Sequence, residues 1–184
     1  MKMVDNIKKE RYAPEIFDFR YEKSQDVAGI RKVHQSAFET RAEADLVDKL
    51  RDKKAHVISI VAIKGVRVIG HILFSPVTLE SDGRTVTLLG LAPMAVLSKY
   101  QRQGIGSKLV AKGLTESRAR RYPAVVVLGH PGYYPRFGFA PSVNYGITSE
   151  YDVPSDVFMI KELQPGVLAG ISGIAKYHEA FAEL

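Results

Sequence analysis

Residues 101 to 107, Gln-Arg-Gln-Gly-Ile-Gly-Ser, carry the residue types and spacing that point most directly to chemistry in this 184-residue chain. They follow a strand-like run, Thr85 to Val96, and open a helix-like run that ends near Arg120. A glycine-rich turn between strand and helix presents backbone N–H groups at the positive end of a helix, where an anionic phosphate can dock. Gly104 and Gly106 lack a Cβ, so a ligand can approach the main chain and φ is free to turn positive.

Two phosphate cradles are excluded by spacing. A dinucleotide fingerprint needs a third glycine three residues after Gly106, and position 109 is Leu. Its acidic ribose partner should end a strand about 20 residues on, where a helical pattern still runs. A Walker-type loop needs Gly-Lys followed by Ser or Thr, and no such string occurs. What remains is Gln-x-x-Gly-x-Gly after a strand ending Met94-Ala95-Val96. About 30 residues later stands a second constellation, Gly129-His130-Pro131-Gly132-Tyr133-Tyr134-Pro135-Arg136-Phe137-Gly138-Phe139.

Taken in order, Gln101 to Gly106 and Tyr134 to Phe139 resemble the two signatures of the GCN5-related N-acetyltransferases (GNAT). Gly70 to Pro76, Leu91 to Val96 and Leu128 to Pro131 extend the likeness to the bacterial YhbS-type branch, over about Phe17 to Phe181. Leu97-Ser98-Lys99 departs from it, where many relatives place a proline before the loop.

The resemblance implies a single α/β (α+β) domain: a mixed, mainly antiparallel twisted sheet, flanked by helices, whose splayed strand pair holds acyl-CoA. It implies acetyl-CoA as co-substrate, with Met94, Ala95 and Val96 holding pantetheine and Arg102, Gln103, Gly104, Ile105, Gly106 and Ser107 holding the pyrophosphate. Tyr134 is then the acid that protonates the departing thiolate, a role suited to a phenol with a pKa near 10. The reaction is direct transfer of an acetyl group to a primary amine, and no Cys is present to carry an acyl group. The alternative is a non-catalytic acyl-CoA-binding or sensing module with the same fold. Three residues stand as candidates for the base: Glu43 on a predicted helix, His130 just past a short strand, and His71, whose place on a strand reads as a buried, satisfied histidine.

These groups need elements to position them. The pattern predicts strands over 16–21, 57–63, 66–74, 85–96, 125–128 and 157–163. It predicts helices from an Asp26 N-cap to Phe38, over 42–52, and from the glycine loop to Arg120. Gly106, Leu109, Val110, Gly113 and Ser117 recur at helical spacing as a packing face, opposite Lys108, Lys112 and Glu116. Asp82-Gly83 signals a tight hairpin. Pro93 cannot donate a ladder hydrogen bond and marks a bulge or a strand end. Residues 170–184 combine strand and helix signals, and 1–14 read as a flexible arm before a domain at 15–184.

Composition bounds the rest. Hydrophobic residues at 46% with 25% charged suit a globular domain with a substantial core. With no apolar run near the roughly 20 residues of a membrane span and no signal-peptide pattern, a cytoplasmic protein is expected. The net charge of +6 favours a polyanion such as CoA. Its basic clusters lack interleaved aromatics, which argues against nucleic acid. The five histidines show no ligand spacing, so no metal is expected. An amine acceptor is the remaining partner, and a homodimer is left open.

Overall fold

A computed structural model describes residues 16–183; the arm expected over 1–14 lies outside them. Four strands form an antiparallel meander: β1 (Asp18–Tyr21), β2 (Ile58–Lys64), β3 (Arg67–Ser81) and β4 (Arg84–Val96). Asp82 and Gly83 both have positive φ, 43° and 75°, the twist a two-residue hairpin requires. β3 runs past the expected end at Phe74. Pro76 falls between the strands that pair with β3 along its other edge, opposite Phe74 on one side and Thr78 on the other, where no partner calls on its missing N–H.

The second half of the sheet is built from β5 (Ala124–Leu128), β6 (Ala140–Pro141), β7 (Ile147–Ser149), β8 (Phe158–Glu162) and β9 (Gly173–Lys176). The order is β1-β2-β3-β4-β5-β8-β6, with β9 pairing both β3 and β7. β4–β5 and β7–β9 are parallel and the other pairs antiparallel. The ambiguous C-terminal stretch therefore resolves into a strand and then a 3-10 turn at Glu179–Glu183.

Helices α1 (Val27–Ala37) and α2 (Ala42–Asp52) cover one face, and α3 (Ile105–Ala119) covers the other. Ile30, Val33, Leu46, Val47 and Leu50 pack on Val61, Ile63, Val68 and Leu73. Ile105, Leu109, Val110 and Leu114 pack on Ile60, Ile72, Phe74 and Val127. Burial of each such side chain is worth about 1.5–3 kcal/mol before the entropic cost of ordering it. Gly113 lets α3 approach β3: a Cβ there would lie 2.3 Å from Cε2 of Phe74, so the ring occupies that space.

Asp26 stands at the N-cap position of α1, as expected, but its side chain makes no capping hydrogen bond to that helix. It closes a short 3-10 turn, Ser24–Asp26, and its carboxylate takes the Lys23 N–H at 2.7 Å and the Arg20 guanidinium at 2.6 Å. A cation on β1 and an earlier backbone donor win the carboxylate from the α1 N-terminus. No helix among the described residues is long and apolar enough to cross a membrane.

Candidate active site

β4 and β5 are paired only where Leu89 and Gly90 meet Val125 and Val126. Beyond that point β4 continues to Val96 and β5 to Leu128 with no ladder between them, which opens the sheet. The same stretch of β4 is bulged against β3: Ile72 faces Met94, but Phe74 faces Leu91, so Ala92 and Pro93 together oppose Leu73. A bulge re-aims backbone groups and ends regular pairing, as Pro93 foretold. Met94 and Val96 lean toward the α3 side, and Ala95 packs with α1 and α2. The Val96 carbonyl already accepts the Gln101 Nε2 amide at 3.0 Å.

The glycine loop turns sharply into α3. Arg102 has φ 59°, and Gly104, the N-cap, has φ 79°. A left-handed backbone is least costly for glycine, and no atom lies within 4 Å of the place a Gly104 Cβ would take. The first intrahelical bond runs from the Lys108 N–H to the Gly104 carbonyl at 3.0 Å, leaving the N–H groups of Ile105, Gly106 and Ser107 without a helical acceptor. Gln103 steadies the loop through Nε2 to the Lys99 carbonyl at 3.1 Å, while Arg102 is exposed. Ile105 is buried in the core, so its side chain is an anchor for the turn. A Cβ on Gly106 would lie 3.0 Å from the Tyr133 hydroxyl and 3.8 Å from Cε of Met94, which ties the loop to β4 and to the tyrosine pair.

Tyr134 opens a 3-10 turn, Tyr134–Phe137, after β5. It is buried, with its ring edge-on to Tyr133 at 5.0 Å and to Phe139 at 5.6 Å between centroids. Burial, and then the neighbouring Tyr133, push its pKa up to about 12. The phenol therefore holds its proton at neutral pH and can give it to a stronger base. The residue packs in an aromatic cluster and also forms part of a cavity wall.

That cavity, about 420 Å³, sits where the strands part. Leu91, Pro93 and Met94 of β4 form one wall with Leu128 and Tyr134; Phe38, Glu43, Tyr151, Val153, Tyr177 and Phe181 enclose the rest. Glu43, in the first turn of α2, keeps Oε2 buried without a hydrogen-bond partner, and so does the hydroxyl of Tyr177. Of the three candidate bases, Glu43 reaches this wall and the two histidines do not. His130 is exposed and accepts the Gly132 N–H on Nδ1 at 3.0 Å.

His71 is fully buried, as its strand position predicted, and belongs to a chain of polar contacts under α1. Ser59 donates to Glu22, so its oxygen accepts His71 Nε2–H at 2.8 Å; His71 Nδ1 then accepts His34 Nε2–H at 2.8 Å. Arg51 closes the far end on Glu22 at 2.6 Å. Burial works against the Glu22 carboxylate, but His71, Arg51 and Ser59 outweigh it and hold its pKa well below the usual range. Burial, and then His71, hold the His34 pKa down to about 3, so both rings are neutral. His34 Nδ1 is left with no partner, and the ring stacks on Phe38 of the cavity wall at 6.0 Å.

Phe38, Tyr151, Val153, Tyr177 and Phe181 did not stand out in the sequence; they come from three distant segments and share no motif. No cluster of three or more metal-ligating side chains occurs among the described residues.

A family model described as an acetyltransferase (GNAT) domain matches residues 18–142. The uncharacterized N-acetyltransferase YhbS of Escherichia coli (strain K12) is 36% identical over 157 residues, spanning 85% of this chain and 93% of YhbS. The crystal structure of E. coli YhbS in complex with CoA superposes with a TM-score of 0.85 at 35% identity, covering 90% of this chain and 92% of that one. A GNAT family acetyltransferase from Brucella melitensis in complex with acetyl-CoA superposes with a TM-score of 0.75 at 34% identity, over 91% and 99% of the two chains.

Proposed function

The chain belongs to the GNAT acetyltransferase family, and from that premise we propose how its residues move an acetyl group from acetyl-CoA to an amine. The donor supplies a thioester carbonyl and a thiolate leaving group. The N–H groups of Arg102 to Ser107 hold the pyrophosphate at the α3 N-terminus, and the Arg102 side chain adds charge. Main-chain groups of Met94 to Val96, freed by the bulge and the parted strands, take the pantetheine arm as an added strand would be taken. Their dipoles polarise the carbonyl as it gains negative charge.

Tyr134 donates its proton to the departing sulfur. The observation that carries this reading is the meeting of three features at one opening: the β4 bulge, the first turn of α3 and a protonated buried phenol. The amine comes from the cavity side, since Tyr134 and Pro93 form its wall next to the parted strands. No Cys exists to hold an acyl group, in keeping with direct attack. We assign the protein to the cytoplasm, the compartment that supplies the donor.

Calorimetric titration with acetyl-CoA, using NADH and ATP as controls, tests the reading. Micromolar binding selective for acetyl-CoA is expected, followed by thiol release when an amine is added. Absence of binding overturns the site. Binding with no turnover on any amine supports an acyl-CoA sensor in place of an enzyme.

A further inference from the structure

We propose that the acceptor is a small hydrophobic monoamine, its apolar body seated among Phe38, Tyr177 and Phe181 and its ammonium received by Glu43. The inference rests on the acetyltransferase reading and names the substrate class of the same cavity.

The wall decides the class. Its lining is aromatic and aliphatic, and Glu43 is the one charged side chain among the described residues that line it. Tyr177 stands 5.8 Å from Tyr151 and 5.0 Å from Phe181 between ring centroids, so three aromatic rings gather in the lining. Aromatic rings bury a ring or alkyl chain well, and their faces attract an ammonium. A polyamine or an aminoglycoside would bring several cations to a wall with one carboxylate, leaving the others buried and unpaired.

The two bare atoms give the cation its place. Glu43 Oε2 and the Tyr177 hydroxyl are both buried without a hydrogen-bond partner, and both residues line the cavity. A buried carboxylate oxygen can only accept, and an ammonium brings three N–H donors. Burial, with Tyr151 and Glu150 nearby, raises the Tyr177 pKa, so this phenol stays neutral and adds no competing charge.

The proton balance closes on these groups. Glu43 takes one proton from the ammonium and frees the nitrogen lone pair. The nitrogen forms a C–N bond at the thioester carbonyl, the C–S bond breaks, and its electron pair leaves on sulfur. Tyr134 protonates that sulfur and is refilled by the second proton shed from the new amide nitrogen, while the Glu43 proton passes to solvent.

Thiol release by the full chain with acetyl-CoA should be compared for 2-phenylethylamine, hexylamine, spermine, kanamycin and a lysine peptide. At least a tenfold higher kcat/KM is expected for 2-phenylethylamine and hexylamine than for the other three. Glu43→Gln should lower kcat/KM for 2-phenylethylamine at least tenfold, with the acetyl-CoA Kd held within twofold. Preferential turnover of spermine, kanamycin or the peptide overturns the acceptor class and leaves the acetyltransferase reading standing, as does an unchanged Glu43→Gln. Failure of wild-type protein to bind acetyl-CoA overturns both.

Discussion

The Tyr134 ring lies over the backbone of Gly129 so closely that a Cβ at position 129 would sit 2.2 Å from its Cε2 and 2.7 Å from its Cδ2. Gly129, the residue after β5, thus sets where the phenol points. Gly129→Ala must push the ring from its seat, at about 1–3 kcal/mol for an overpacked core. Turnover should fall at least as far as in Tyr134→Phe, because the displaced ring also crowds the cavity. Steady-state kinetics with urea unfolding check this; an unchanged kcat would show that the ring need not sit there.

Tyr134→Phe keeps the ring packing on Tyr133 and Phe139 and deletes the proton. A fall in kcat of about a hundredfold is expected for the loss of a general acid, with acetyl-CoA affinity little changed. With its pKa up at about 12, the wild-type phenol should cause no alkaline decline in rate through pH 10. A wild-type decline near pH 9 that vanishes in the Phe variant would contradict the protonated assignment.

At Gly104 two effects can be separated. Any residue there meets φ 79°, a strain of about 1–2 kcal/mol, but no steric neighbour. Gly104→Ala should therefore lose some stability and keep measurable acetyl-CoA binding. Gly104→Glu adds the same strain and a negative charge in the cradle, and should abolish binding while the domain remains folded. Calorimetry and circular dichroism on the pair decide it; normal affinity in Gly104→Glu would remove the loop from the site.

The His34–His71 pair predicts the pH dependence of stability. An unfolded histidine titrates near pH 6.5, whereas folded His34 resists protonation to about 3. Between those values the unfolded chain binds the proton and the folded chain does not. Stability is therefore present above pH 6.5 and falls with falling pH, by about 1.4 kcal/mol per unit for one histidine. His71 shifts in the same direction. Urea unfolding at pH 7, 6 and 5 should show a steady loss that starts above the carboxylate range; equal stability at pH 7 and 5 would contradict it.

Much of this was legible because it is local. Asp82-Gly83, the glycine loop, the α3 packing face and Pro93 each act through the backbone of a few neighbouring residues, so the residue type reports the geometry. The end of β3 was misread at Phe74 because Ser75-Pro76 looks like a break unless the unpaired stretch of that edge is known. Asp26 holds its expected N-cap position, but its carboxylate bonds elsewhere because Arg20, on another element, competes for it. The cavity was hidden for the same reason: Phe38, Tyr151, Tyr177 and Phe181 become neighbours only after the C-terminal segment returns along β3.

The two paired positions that join β4 to β5 make the sheet a seam with two stitches. A pantetheine arm laid along β4, as proposed above, would add further stitches, so the donor would complete the architecture as well as supply the acetyl group. Bound at a hundredfold its Kd, it would add about 2.7 kcal/mol to the folded state.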